Sequence, residues 1–371
     1  MQTRYEPPDF AAHPLASAPD APFAPAPADG VLPEGYFSTT NLPTYVRVEG
    51  RWLLPERPRM DAAIVRLDGG RLQVREGRLV RRGDPVALGM AEDGSEGILV
   101  HGTGFREEEE EASGEFQFMT SEVSREKPVD YEDMAAAFVR ERDAGGHIVW
   151  VLGPAVLHSR GRDAVQWFVH NGFVGALLGG NAIAVHDVEQ ALMGTTLGMD
   201  HRGRPVRGGH AYHMRAINRV RAAGSLAAAV DRGILTEGIM HACVTRGVPY
   251  VLCGSIRDDG PLPEVIQDVS EAQAAMREHA VRATMVAMIA TSLHSIAFGN
   301  MLPSYHTTGA GELRALTTIA VDSSEFLVSK LRDRGTRHAI GVITNAQDFL
   351  HVLRDHVRRA QPDAGATAGA A

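Results

Sequence analysis

The chain has 371 residues, of which 44% are hydrophobic, and a formal net charge of −9. This length can bury a large core and predicts two or three domains. The acidic balance argues against nucleic acid or an anionic membrane as a partner, because nothing would neutralise phosphates over a broad face. We therefore expect a small-molecule ligand.

Cysteine usage bears on the compartment. The two cysteines, Cys243 and Cys253, fit neither a disulfide framework nor a four-ligand zinc site. With no signal peptide visible, this predicts a reducing cytoplasm. No apolar run reaches the ~20 residues that span a bilayer.

Patterning along the chain predicts four segments. Residues 1–30 are Pro/Ala-rich and predict a disordered arm, and residues 361–371 predict a disordered tail. Residues 31–125 contain short runs of alternating apolar and polar residues, typical of a small β domain.

Residues 126–360 alternate helix-like and strand-like segments, beginning with YEDMAAAFVRERDAGG and HIVWVLGPAV. Such alternation predicts an α/β domain, a Rossmann-like parallel sheet with helices on both faces.

Nucleotide-binding signals occur without a GxGxxG fingerprint. The junctions between predicted strands and the loops after them offer substitutes, two with glycine at Gly153 and Gly180 and one without it at Ser292-Leu293-His294. Glycine lets a backbone approach phosphates closely. Asp322 follows another apolar run, where it can bind a ribose diol or cap a helix, and both readings stay open.

Acid/base candidates occur in three places. His210, His213 and Arg215 bring two imidazoles and a guanidinium together; if helical, the spacing of the histidines puts both rings on one face. Metal binding is the weaker interpretation, because no standard zinc spacing is present, and a polar surface turn is the alternative. Asp258 and Asp259 follow the strand-like VPYVL, either as ligands at the end of a strand or as a solvated turn. His186-Asp187 is either a catalytic dyad or the end of a buried strand.

Taken together, these segments resemble a known family. The chain is similar to the ornithine cyclodeaminases of archaea and of the C-terminal part of cyanobacterial bifunctional enzymes, also labelled lysine-oxoglutarate reductase/saccharopine dehydrogenase domains. The likeness runs over residues 36–356. It is carried by YFSTTNLPTYVRVEGRW, GPAVLH, GGNAIAVHDVEQALMGTTLGMD, GGHAYHMRAIN, GSIRDDGPLPEVIQD, LHSIAFGNMLPS and KLRDRG.

The resemblance implies an NAD-dependent ammonia-lyase that converts L-ornithine to L-proline by oxidation, cyclisation and re-reduction. It also implies NAD contacts, which fall on Asn181, Ala182, Asp259, Ser292, Leu293, His294 and Asp322. Residue chemistry adds hypotheses for catalysis: His210 or His213 as acid/base, Asp258 assisting, and Arg215 holding the substrate carboxylate.

The sequence departs from the family pattern at His241-Ala242, Cys253, residues 304–316 and Asn345. These differences bear on the substrate more than on the cofactor. The alternatives are an NAD-dependent oxidoreductase or deaminase for another basic amino acid or a saccharopine-type imine, and a non-catalytic NAD-binding regulator. We expect a homo-oligomer, a dimer or tetramer, without a metal.

Overall fold

The structure is a computed structural model that describes residues 3–107, 129–258, 260–334 and 338–361. These residues form two units. The described part of the smaller unit is 3–107, 299–316 and 338, and that of the larger unit is 129–258, 260–298, 317–334 and 339–361.

The strands are, in chain order, β1 (Thr3–Tyr5), β2 (Phe23–Pro25), β3 (Thr44–Val48), β4 (Arg51–Leu53), β5 (Ala63–Arg66), β6 (Leu72–Arg75), β7 (Pro85–Ala87), β8 (Ile98–Val100), β9 (Phe105–Glu107), β10 (Ile148–Leu152), β11 (Ala176–Gly180), β12 (Tyr250–Cys253), β13 (Val265–Ile266), β14 (Met285–Ile289), β15 (Tyr305–Thr307), β16 (Leu313–Ala315), β17 (Thr317–Asp322) and β18 (His338–Ile343). The helices are α1 (Tyr131–Asp143), α2 (Ala155–His158), α3 (Arg162–His170), α4 (Asn181–Met193), α5 (Tyr212–Ala223), α6 (Leu226–Asp231), α7 (Ile239–Arg246), α8 (Val269–Arg282), α9 (Ser292–Gly299), α10 (Glu325–Arg334) and α11 (Ala346–Ala360).

The smaller unit is built from short antiparallel strands. A four-stranded sheet has the order β2-β7-β5-β6, a three-stranded sheet has the order β4-β3-β8, and β1 pairs with β9 as β15 does with β16. Alternation along β5 buries both of its faces: Ile64 lies in one apolar cluster, and Ala63 and Val65 in another.

The expectation of a disordered arm over residues 1–30 is wrong for the described residues. β1 pairs with β9, β2 pairs with β7, and Ala26 is 2% exposed. A Pro/Ala-rich segment lacks apolar periodicity, yet its small side chains pack at a sheet edge, where Pro25 needs no inward N–H. The tail beyond residue 361 lies outside the described residues.

The larger unit carries a seven-stranded sheet of order β13-β12-β11-β10-β14-β17-β18. The pairings from β13 across to β17 are all parallel. The chain moves outward from β10 through β11 and β12, then returns to the other side of β10 as β14. The Rossmann-like α/β prediction is confirmed, and this reversal marks the crevice where open sheets of this kind bind ligands.

Capping residues fix several helix starts in this unit. Asp130, Asp268 and Asn345 accept backbone N–H groups at the starts of α1, α8 and α11. After β11 the chain turns into α4 directly at Asn181, so His186-Asp187 lies in a helix, and its reading as a strand end is wrong. Within the described residues, no helix combines the length and the apolar character needed to cross a bilayer.

Candidate active site

At the point where the sheet order reverses, β10 and β14 end in direct backbone contact. The N–H of Gly153 donates to the carbonyl of Ile289 at 3.0 Å. A Cβ added at Gly153 would lie 1.9 Å from the carbonyl oxygen of Ala290. Ala290 itself has a φ of 55°, a left-handed conformation that is unfavourable for a residue with a side chain. Only glycine fits at position 153, and the backbone at the reversal point is strained.

Three polar side chains converge on this edge from the ends of β11, β12 and β14; we call Asn181, Asp258 and His294 the edge cluster. Asn181 is 4% exposed, and its Oδ1 accepts the backbone N–H of Leu262 at 3.1 Å. Its Nδ2 lies 3.5 Å from Oδ1 of Asp258. The other oxygen of Asp258 accepts the N–H of Ser255 at 2.8 Å. The loop after β12 therefore holds this carboxylate in one orientation.

His294 completes the edge cluster. Its Nδ1 lies 3.2 Å from Oγ1 of Thr291, and a Cβ added at Gly180 would meet its Cε1 at 2.8 Å. Partial burial lowers the pKa of His294, and the negative charge of Asp258 opposes that effect. An imidazole with a lowered pKa and a carboxylate thus both lie at the carboxyl edge of the sheet.

The other described positions that were predicted to contact NAD also follow strands of the sheet. Ala182 follows Asn181 and is partly buried, and Ser292 and Leu293 begin α9 in exposed positions, with Leu293 65% exposed. Asp322 ends β17, where its Oδ1 accepts the N–H of Ser324 at 2.9 Å. This contact is typical of a helix cap. Binding of the NAD ribose by Asp322 stays a prediction. Asp259 lies outside the described residues.

The predicted catalytic residues separate into different surroundings. Asp258 is grouped with His294 and Asn181. His210 is exposed in a single turn before α5, and Arg215 is exposed with its guanidinium 5.8 Å from the ring centre of Tyr212. His213, on α5, lies against His186, with ring centres 5.3 Å apart.

His213 belongs to a second group that we call the histidine cluster: His158, His186, Glu189 and His213. The ring centres of His158 and His186 are 5.0 Å apart, and Nδ1 of His186 lies 3.5 Å from Oε2 of Glu189. His158 and Glu189 were not among the site residues predicted from the sequence. The spacing of His186 and Glu189, three residues apart, would have indicated one helical face had the segment been read as a helix.

Glu189 is fully buried, and its carboxylate holds the loop that follows α4. Oε1 accepts the hydroxyl of Thr195 at 2.9 Å and the N–H of Gly198 at 2.8 Å, and Oε2 accepts the N–H of Leu197 at 3.2 Å. Ligand atoms of His186, Glu189 and His213 lie within 4.8 Å of one another, which is compatible with a metal ion. Because the lone pairs of the Glu189 carboxylate already accept these hydrogen bonds, the geometry favours a role in fixing the loop over a role as a metal ligand.

Asp187 does not form a dyad with His186. It is fully buried, its Oδ1 accepts Nε of Arg162 at 2.8 Å, and its two oxygens accept the N–H groups of Ile239 and Met240 at 2.9 and 2.8 Å. Gly238, just before α7, has a φ of 112°, and a Cβ there would lie 2.7 Å from the carboxylate. Asp187 thus ties α3, α4 and the start of α7 together, a structural role.

Comparison with known proteins gives consistent matches over most of the chain. Residues 132–353 match the family model described as the arginine dihydrolase ArgZ-like C-terminal Rossmann fold, and residues 43–132 match the first region of the same C-terminal part. A protein of Methanopyrus kandleri named ornithine cyclodeaminase is 46% identical over 91% of this chain and 79% of its own length. The bifunctional arginine dihydrolase/ornithine cyclodeaminase AgrE of Nostoc is 40% identical over 90% of this chain and 46% of its own length.

Solved structures agree with these matches. The structure of a conserved putative LOR/SDH protein from Methanococcus maripaludis superposes with a TM-score of 0.82 at 41% identity, covering 92% of this chain and 99% of that one. The ternary complex of AgrE with ornithine and NAD+ superposes with a TM-score of 0.57 at 38% identity, covering 92% of this chain and 46% of that one.

Proposed function

Because the chain belongs to the ArgZ-like C-terminal family, whose archaeal relatives are named ornithine cyclodeaminase, we propose that it is an NAD-dependent ornithine cyclodeaminase. The reaction releases ammonia from L-ornithine and yields L-proline. The observation that carries this proposal is the 46% identity to the Methanopyrus kandleri protein over 91% of the chain.

The larger unit fits a dinucleotide cofactor. Its parallel sheet reverses order between β10 and β14, and Gly153 and Gly180 keep the carboxyl edge free of side chains where neighbouring groups approach most closely. We assign NAD contacts to Asn181, Ala182, Asp259, Ser292, Leu293, His294 and Asp322. NAD held by these residues would supply the acceptor for the hydride of the substrate Cα and, once reduced, the donor for the cyclic imine.

The edge cluster supplies groups for the substrate amines. The carboxylate of Asp258, held by the N–H of Ser255, can pair with an ammonium group. His294 has a lowered pKa, so its neutral ring can accept a proton at a ring nitrogen. His210 and His213 remain acid/base candidates, and Arg215 is proposed to bind the substrate carboxylate through paired N–H donors.

A second candidate function is favoured by one specific observation. The structure of the Methanococcus maripaludis protein is that of a putative LOR/SDH protein. The resemblance of the chain to lysine-oxoglutarate reductase/saccharopine dehydrogenase domains makes an oxidoreductase for a saccharopine-type imine the second candidate. Such a reaction consumes its nicotinamide cofactor stoichiometrically, whereas cyclodeamination regenerates it within each cycle. Net cofactor turnover therefore separates the two functions.

The test is an assay with substoichiometric NAD. We expect ornithine to yield ammonia and proline in equal amounts over many turnovers, without accumulation of NADH, and lysine, arginine and diaminobutyrate to serve as comparison substrates. Accumulation of NADH equal to the product formed would favour the oxidoreductase. Tight NAD binding without ammonia release from any of the four amino acids would favour the regulator.

We also propose a metabolic role, a compartment and an oligomeric state for the protein. The reaction places the enzyme in arginine breakdown and proline formation. Both described cysteines are free and buried, which supports a reducing cytoplasm. We also propose a homo-oligomer, a dimer or tetramer, which light scattering of the purified protein would measure.

A further inference from the structure

The histidine cluster contains a carboxylate that remains charged although it is buried. Burial acts to raise the pKa of Glu189, but hydrogen bonds from His186, Gly198 and Thr195 outweigh it and leave the pKa below its usual value. A buried carboxylate supplied with this many donors stabilises a positive charge placed beside it. The neighbouring group that can take up such a charge is His186, which is 5% exposed.

The contact with Glu189 also fixes the protonation pattern of His186. Since the oxygen of an ionised carboxylate can only accept, the ring nitrogen facing it, Nδ1 at 3.5 Å, carries the proton. Nε2 of His186 is then the basic nitrogen. Protonation at Nε2 would produce an imidazolium paired with Glu189, an arrangement in which a carboxylate orients an imidazole and stabilises its charged form.

Two more imidazoles connect this pair in opposite directions. His158, on α2, is exposed to solvent and lies 5.0 Å from His186 between ring centres, and His213 lies 5.3 Å from His186 on the α5 side. Partial burial and the charge of His186 lower the pKa of His158, and Glu189 opposes them. Glu189, His158 and His213 are titratable groups that face His186, and the three imidazole rings form a row from α5 to the surface.

We infer that Glu189 and His186 form a proton store for the reaction, filled and emptied through the rings of His213 and His158. This inference rests on the proposed function, which needs one group to take a proton from the substrate and return it in the same cycle. His213 is the group that exchanges protons with the substrate. Glu189 and His186 are positioning residues that act through it.

The proton balance of the cycle closes. The α-ammonium group of ornithine loses a proton to the ring of His213, and a proton passes from this ring to Nε2 of His186. The Nδ1–H group of His186 continues to donate its hydrogen bond to Glu189. When the α-nitrogen departs, the proton returns by the same route and leaves with ammonia. The δ-ammonium group loses two protons, one before its nitrogen attacks and one as the cyclic imine forms. One of them returns to the product amine, and the other leaves through His213 and the emptied Nε2 of His186 to His158, so the cluster ends each cycle in its starting state. His158, the exposed ring, passes this last proton to water, so every turnover depends on it.

Kinetics of His186→Gln and His158→Gln test the store, with His170→Gln, at the exposed end of α3, as the matched control. For His186→Gln we expect kcat for ammonia release to fall by about 10²- to 10⁴-fold, with KM for ornithine and Kd for NAD within about twofold. Added imidazole should restore part of the kcat of the exposed His158→Gln variant. Loss confined to KM or to NAD affinity, or no loss in either variant, would overturn the inference.

A second measurement does not depend on ornithine turnover. It therefore distinguishes an error in the proposed function from an error in the proposed proton store. Long-range proton–nitrogen NMR spectra of protein with ¹⁵N-labelled histidine report which ring nitrogen carries the proton. We expect the Nδ1–H form for His186, lost in Glu189→Gln. A proton on Nε2 of His186 would overturn the inference even in an active enzyme, as would stoichiometric zinc that disappears in His186→Gln. If His186 has the expected tautomer but the protein releases no ammonia from ornithine, only the proposed function is rejected.

Discussion

Asp258 lies between groups of different chemistry, because its two oxygens face the side chain of Asn181 and the backbone of Ser255 while His294 lies close by. Asp258→Asn keeps an oxygen for the N–H of Ser255 but removes the charge that would pair with an ammonium group. We expect kcat for ammonia release to fall about 10²-fold, while Kd for NAD stays within about twofold. Calorimetric NAD binding and an ammonia assay measure the two effects. Wild-type turnover in this variant would return Asp258 to the role of a turn residue.

Asp322 is the residue for which capping and cofactor binding still compete. Asp322→Ala removes the acceptor for the N–H of Ser324, and if the carboxylate also binds the ribose, NAD affinity should fall by ~1 to 3 kcal/mol. Asp268→Ala is the matched control, because Asp268 caps α8 through two N–H groups and carries no assigned cofactor contact. Equal losses of thermal stability with NAD affinity unchanged in both variants would leave Asp322 as a cap only.

At the scale of elements, three helices depend on one buried carboxylate. Asp187→Asn would leave the buried guanidinium of Arg162 with the exposed Glu237, at 3.1 Å, as its remaining charged partner, and would weaken the acceptor for the start of α7. We therefore expect a loss of about 3 kcal/mol in the free energy of unfolding, at the low end for a broken buried ion pair. Asp200→Asn is the control, since Asp200 also accepts an arginine and backbone N–H groups but near the surface. Urea unfolding followed by circular dichroism measures both, and similar small losses in the two variants would contradict this account.

The elements also show how far the sequence could be interpreted. The alternation of strand-like and helix-like runs predicts the parallel sheet because its strands are buried on both faces and its helices on one. The run ALLGGNAIAVHD was misread because a buried strand passes directly into a buried helix, and apolar character does not mark the boundary. The edge cluster joins residues from three strand ends, so the contact of Asn181 with Asp258 depends on strand order, which local patterns do not contain.

At the scale of the whole molecule, stability should depend on pH through a histidine pair beside the central sheet. Nε2 of His147 lies 3.1 Å from Nδ1 of His279, and Nη2 of Arg282 is 3.2 Å from the same atom. Burial, then the charges of Arg282 and His279, lower the pKa of His147 from 6.5 to about 4. As the pH falls below 6.5, His147 becomes protonated in the unfolded chain, whereas in the folded chain it becomes protonated only near pH 4.

The free energy of unfolding should therefore be constant above this window and fall as the pH drops through it. After allowance for the partial exposure of the ring, the loss due to His147 should be on the order of 1 kcal/mol. Unfolding of wild type and His147→Gln, followed at a series of pH values, measures this effect. A wild-type curve no steeper than that of the variant in this window would contradict the assignment.

In the proposed reaction, ornithine is oxidised at Cα and the cyclised product is reduced at the same carbon with one and the same cofactor molecule. The most direct measurement uses L-ornithine deuterated at Cα, with excess unlabelled NADH in solution and mass spectrometry of the proline formed. We predict proline that retains the deuterium at Cα, because the hydride is removed and returned within one cycle on the enzyme. Proline without deuterium, with the label in the free NADH pool, would contradict the account.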